Sequence, residues 1–169
     1  MLYLDEYTDE TLSLIKTIEA KAYRDTSYSA MGECEDWEDI ADYCEAELAD
    51  THFLMYKGRN EGSGAYMLFA EHEDHVEIVD FASTGDLTGM ETGSLVMKTL
   101  RIMEEYGKSV TLDARESTSY PILTGLNRKG LIDISEDNPY EWDGETFHSM
   151  RFTVNFSRER NLSSEEIER

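Results

Sequence analysis

The sequence is short of bases, prolines and cysteines, and it holds no long apolar run. Without about twenty consecutive apolar residues it has no helix fit to cross a bilayer, so no membrane partner is expected. The amino terminus, MLYLDEYTDE, is acidic where a secretory leader would be basic, and a cytoplasmic setting is expected. There are two prolines and no repeats or low-complexity blocks, so no linker is expected to divide the chain. One domain over residues 1–156 is predicted, with a polar, flexible tail at 157–169. The two cysteines, Cys34 and Cys44, lie ten apart in a predicted helix. At about 100° per residue they face different ways, which argues against a disulfide between them. Neither has a nearby histidine to mark it as a nucleophile.

Bases are the scarcest group relative to need: 15 Lys and Arg stand against 37 Asp and Glu, a net charge of −22. The excess is steepest in residues 1–50, with fifteen acids and three bases. Direct binding to nucleic acid is disfavoured, because counterion release needs cations on the protein. Solubility, a high-salt cytoplasm and a cationic partner each account for the charge. Ten Tyr, six Phe and two Trp supply bulk for a core.

What is present reads as alternating elements. Residues 8–24 form a predicted helix, capped by Thr8, with Asp9 and Glu10 at its positive end and Tyr7 stapling onto Leu12. Leu12, Ile15, Ile18 and Ala22 make its apolar stripe. A second helix is predicted over about 35–49, with Trp37, Ile40, Cys44 and Leu48 on one face. THFLMYK, AYMLFAEH and VEIVDFAS read as an antiparallel meander, and SVTLDA as a further strand. Between the last two lies a helix predicted over about 93–106 and stopped by Gly107. STSYPILTGLNRKG is a helix with Pro121 in its first turn and Gly130 past its end. LIDI and FHSMRFTVNF are strands separated by the turn signal DNPYEWDG. The strand–helix–strand unit places a parallel pair beside the meander. The expected class is α/β, a mixed, largely antiparallel sheet flanked by helices.

TGMETGSLVMKTL, residues 88–100, carries two glycines ahead of an apolar helix, where main-chain N–H groups can meet an anion. This segment, the order of elements over about 8–155 and LNRKGL at 126–131 together resemble the GCN5-related N-acetyltransferase family. In the family an Arg/Gln-x-x-Gly-x-Gly/Ala loop binds the pyrophosphate of acyl-coenzyme A. Gly93 falls on its last glycine, whereas Thr88 stands for Arg or Gln and Glu91 for the first glycine. LNRKGL fits the family's tail motif at Gly130, with Leu131 for Phe and Leu126 where a Tyr often protonates the thiolate. A carboxylate at 91 opposes an anion unless it points into water.

The resemblance implies an acetyltransferase-like fold, acetyl-coenzyme A as co-substrate and attack by an amine on the thioester. Gly89, Gly93 and Ser94 would offer amides to the pyrophosphate; Phe81, Ala82 and Ser83 would line the pantetheine arm. Asp80 is the candidate base. Glu77, three residues earlier, is a second one on the opposite face of the strand. Tyr120 is the candidate acid, with Tyr106 and a bound water as substitutes.

Three further clusters stand out. Asp113, Arg115 and Glu116 follow a strand at its carboxyl end; they suit either a ligand or a local ion pair beside a helix capped by Ser117 or Ser119. EHEDH at 71–75 reads as a solvated turn whose side chains splay apart, so no metal is assigned. His148 is read as structural or exposed.

Nine carboxylates and no base occupy residues 33–50. Eighteen residues of helix span about 27 Å, so their charges would be spaced about 3 Å apart, close to the spacing of DNA phosphates. Two functional readings follow. One is N-acetylation of a cationic acceptor, a small molecule or a Lys-rich protein, drawn by the acidic face. The alternative is a non-catalytic protein that blocks a nucleic-acid-binding partner by mimicking DNA.

Overall fold

A computed structural model describes residues 2–23, 33–45 and 50–156. Its elements are β1 (Leu2–Leu4), α1 (Asp9–Ala22), α2 (Trp37–Tyr43), β2 (Thr51–Lys57), β3 (Gly64–Glu71), β4 (His75–Ser83), α3 (Gly89–Glu105), β5 (Ser109–Arg115), α4 (Ser119–Arg128), β6 (Ile132–Trp142) and β7 (Glu145–Val154). The strands form one seven-stranded sheet in the order β1-β2-β3-β4-β5-β7-β6. β1/β2, β2/β3, β5/β7 and β6/β7 are antiparallel, while β4/β5 is parallel over His75–Glu77 and Ser109–Thr111. This is the mixed, mostly antiparallel sheet flanked by helices that the sequence predicts. No described helix is long and apolar enough to cross a membrane. The chain divides into two compact units, Met1–Glu71 with Ile78–Val96, and His72–Glu77 with Met97–Arg169. The predicted tail at 157–169 lies outside the described residues.

In the first unit, α1 starts where its capping chemistry places it. The Thr8 side chain accepts from the Thr11 amide at 3.2 Å, and Thr11 Oγ1 accepts from the Thr8 amide at 3.0 Å. Leu12, Ile15 and Ile18 are buried with Phe53, Met55, Tyr66, Leu68 and Ala82. Each such aliphatic side chain contributes about 1.5–3 kcal/mol on burial. Tyr7 joins the same cluster, but its ring meets Trp37 edge-on at 4.9 Å and its hydroxyl donates to the Thr51 carbonyl. Gly64 is required by packing: a Cβ there would overlap the Tyr56 carbonyl and crowd Ile18.

Two expectations for this unit are corrected. α2 is seven residues long, about 10 Å, and not a helix over 35–49. Asp36 caps it, Cys44 closes it, and Glu45 takes a positive φ of 52°, which an α-helix cannot continue through. Ile40 and Cys44 face the core as predicted; Leu48 lies outside the described residues. Cys34 precedes the helix, and both cysteines are thiols buried in one cluster. β1 is unforeseen, because three residues are too few for an alternation to register.

In the second unit Leu100, Met103, Val110, Leu112, Leu123, Ile132, Met150 and Phe152 are buried. The Gly107 amide donates to Glu104 O and the Gly130 amide to Asn127 O, closing α3 and α4 as predicted. DNPYEWDG is mostly strand. β6 runs to Trp142, and the turn is Asp143–Gly144, with φ of 51° and 75°, a pair of left-handed residues that suits a two-residue hairpin. Pro139 is tolerated because β6 is the outermost strand.

Candidate functional site

The loop ahead of α3 is shorter than its glycines suggest. Thr88 caps the helix: its Oγ1 accepts from the Glu91 amide at 3.1 Å and its carbonyl from the Thr92 amide at 2.9 Å. Thr88-x-x-Glu91 is a good helix start, so α3 begins at Gly89 and not near 93. Gly93 and Ser94 therefore sit in the second turn, where amides bond to carbonyls four residues back. The amides left ahead of the ladder are those of Gly89 and Met90. No atom lies within 4 Å of where a Cβ on Gly89 would sit, and the Met90 side chain is exposed.

Glu91 does not point into water. It is buried, and its Oε1 lies 3.7 Å from Nε of Arg59 on the β2–β3 turn. Arg59 supplies, from a distant stretch of chain, the positive charge that the loop itself lacks. The sequence holds one hint of it, as the lone base in GRNEGSG.

Burial alternates along β4, with Val76, Ile78, Asp80 and Ala82 inward. Glu77 and Asp80 lie on opposite faces, as their spacing requires. Asp80 Oδ2 accepts from the Tyr66 hydroxyl at 2.8 Å. Burial pushes the Asp80 carboxyl up to about 7; Glu19 adds to the rise, whereas the Tyr66 hydroxyl and the Phe81 backbone oppose it. Burial, and then Asp80, raise the Tyr66 phenol well above its ordinary value. The Phe81 carbonyl accepts from Tyr23 at 2.9 Å, Ala82 is buried, and Ser83 is exposed. Tyr66, Glu19 and Tyr23 are the partners that sequence reading missed.

A second cluster lies wholly in the other unit. The Tyr120 hydroxyl donates to Asp137 Oδ2 at 2.6 Å, and its ring stacks on His148 at 3.6 Å. Asp137 Oδ1 lies 2.6 Å from His148 Nδ1, and Glu116 Oε1 lies 3.3 Å from Nε2. Hydrogen bonding to Asp137 raises the Tyr120 phenol. His148 is buried, not exposed. Arg115 pairs with Glu145 across the β5–β7 ladder, its amide donates to Ser119 Oγ at 3.0 Å, and Asp113 is exposed. The ion pair of that segment is not local: its partner comes from β7, and Thr118, not Ser117 or Ser119, stands at the N-cap of α4, with no side-chain cap bond.

The EHEDH turn also differs from expectation. The His72 amide donates to the His75 carbonyl at 2.8 Å, so Glu73–Asp74 is the turn and the two histidines flank it. Flanking residues of a hairpin share one face. Their rings stack at 4.5 Å, and His72 Nε2 lies 3.0 Å from Glu77 Oε2. Splaying applies to the two turn residues and not to their neighbours.

The fold is that of the GCN5-related N-acetyltransferases. The ribosomal-protein-alanine N-acetyltransferase from Brucella melitensis superposes with a TM-score of 0.60 at 12% identity, covering 90% of this chain and 99% of that one. A spermidine N-acetyltransferase chimera from Vibrio cholerae gives 0.58 at 10% identity, covering 91% and 96%. A Bacillus subtilis acetyltransferase in complex with CoA gives 0.54 at 15% identity, covering 91% and 97%. No family model and no curated protein matches the sequence.

Proposed function

We propose that the protein transfers an acetyl group from acetyl-coenzyme A to the nitrogen of a cationic amine. The observation that carries the reading is Asp80, a carboxyl buried on the strand leading to α3 and bonded to the Tyr66 hydroxyl, where burial pushes it up to about 7. A base poised near the working pH is what deprotonation of an ammonium requires. The amides of Gly89 and Met90, with Arg59 alongside, would receive the cofactor's diphosphate. Gly93 and Ser94 would then support that helix end through their place in its second turn. The main chain of Phe81, Ala82 and Ser83, beyond the three-residue register with β5, would meet the pantetheine arm.

In the proposed reaction the acceptor ammonium gives a proton to Asp80 through the Tyr66 hydroxyl, which already donates to it. The freed amine attacks the thioester carbonyl carbon, the C–S bond breaks, and a bound water carries the second nitrogen proton to the leaving thiolate. Tyr120, the candidate acid of the sequence, has its own proton on Asp137 Oδ2 and takes no part in this step. The net charge of −22 favours a polyamine or a Lys-rich segment over a neutral amine. Two of the superposed proteins, named for spermidine and for a ribosomal-protein alanine, are acetyltransferases of amines. The DNA-mimic alternative loses its eighteen-residue acidic helix to a seven-residue one.

Calorimetry with acetyl-coenzyme A tests the reading, followed by acetyl transfer to spermidine and to a Lys-rich peptide. Saturable binding with transfer to either supports it. Absence of binding at millimolar cofactor ends it.

A further inference from the structure

We propose that the β3–β4 hairpin binds a divalent transition-metal ion of the zinc class through His72, His75 and Glu77. One ligand atom from each of the three lies within 4.8 Å of the others. The backbone dictates this convergence. His72 and His75 face each other across a two-residue turn, and Glu77 follows His75 by two residues on the same face. His75 and Glu77 are held further by their register with Ser109 and Thr111 of β5.

The donor set chooses the ion. Two imidazoles and one carboxylate suit zinc and its neighbours, whereas magnesium and calcium prefer oxygen alone. Three protein ligands leave a fourth position open. Metal–ligand bonds of about 2.0–2.2 Å put tetrahedral ligands about 3.4 Å apart. His72 Nε2 and Glu77 Oε2 already stand at 3.0 Å, and the ligand atoms of all three residues lie within 4.8 Å, so closure needs shifts of about 1 Å.

The surroundings are those of a ligand histidine. His75 Nδ1 lies 2.7 Å from Asp74 Oδ1, a carboxylate–imidazole contact of the kind that orients metal ligands and leaves Nε2 to bind. Glu71 and Glu73 flank the site with further negative charge, while Lys108 is turned to the His72 carbonyl at 2.8 Å.

The test uses the full chain, stripped with chelator and titrated with zinc by calorimetry and with cobalt by visible absorption. Saturation at one ion per chain is expected, with a rise in melting temperature on adding zinc. His72→Ala and His75→Ala each weaken binding by at least about tenfold, and Glu77→Gln weakens it less. Glu141→Gln and Asp143→Asn, remote acids at the turn end of the β6–β7 hairpin, leave it unchanged. His75→Gln, which keeps a polar side chain, repeats the loss in a variant whose circular dichroism matches the parent. Absence of saturable binding overturns the proposal. So does equal loss in the histidine variants and the remote-acid variants, the signature of diffuse attraction to an acidic surface.

Discussion

Replacing Asp80 by Asn isolates the cost of a buried carboxyl. Asp80 titrates at about 7 in the folded protein against an ordinary value of 3.8. A raised value means that the native state holds the proton more tightly than the unfolded chain does. The contribution is therefore complete below pH of about 4 and is lost progressively as pH rises through about 7. At about 1.4 kcal/mol per pH unit, the span amounts to about 4 kcal/mol. Asn is of similar size and can still accept from the Tyr66 hydroxyl, but it carries no charge to desolvate. Asp80→Asn should thus be close to the parent in urea unfolding near pH 4.5. By about pH 8 it should be more stable by several kcal/mol. Comparing the two proteins across pH cancels the titration of the other acids, including the repulsion of a −22 chain. Equal pH dependence in parent and variant would refute a buried, proton-holding carboxyl. Under the proposed mechanism the same variant should also lose the rise in turnover as pH passes 7.

Glu91→Gln removes a carboxylate beside the α3 amides and frees Arg59; acetyl-coenzyme A should bind about two- to fivefold more tightly by calorimetry, and unchanged affinity counts against the anion cradle. Tyr66→Phe should lower turnover by about 10²–10⁴-fold with little change in acceptor KM, and a fall below about tenfold removes Tyr66 from the proton relay. Gly64→Ala forces a Cβ onto the Tyr56 carbonyl and should destabilise the fold by about 1–3 kcal/mol in urea, a loss absent from Gly89→Ala, where space is open.

Local chemistry was legible where a single signal decides an element. Thr8 with Thr11 starts α1, Pro121 and Gly130 bracket α4, and the apolar runs at 51–57 and 64–71 become β2 and β3. The misses share a cause. α3 was read from its glycines, yet the capping pair Thr88 and Glu91 fixes its start and outweighs the cost of about 1 kcal/mol for Gly93 inside it. DNPYEWDG holds several turn residues, but only Asp143–Gly144 adopts left-handed backbone, and an edge strand tolerates the rest. The site was less legible because its electrostatics are non-local. Tyr66 and Glu19 set Asp80, and Arg59 meets Glu91 from another hairpin. No spacing in the chain encodes those pairings.

Under the proposed function, an acidic protein with an anionic cofactor and a cationic acceptor should answer salt in opposite directions. The net charge repels acetyl-coenzyme A at long range and attracts a polyamine. Both effects fade beyond a Debye length, about 30 Å at 0.01 M salt and about 8 Å at 0.15 M. Contacts at the α3 amides and Arg59 act within a few ångströms and are screened far less. Raising salt over that range should therefore strengthen acetyl-coenzyme A binding while it raises the KM for spermidine. Calorimetry and initial rates at several salt concentrations measure the two slopes. If cofactor binding instead weakens with salt, cations outside the Arg59 region must hold it, and the cradle is misplaced. If the acceptor KM is indifferent to salt, the acidic surface does not recruit it, and the charge of −22 needs another explanation.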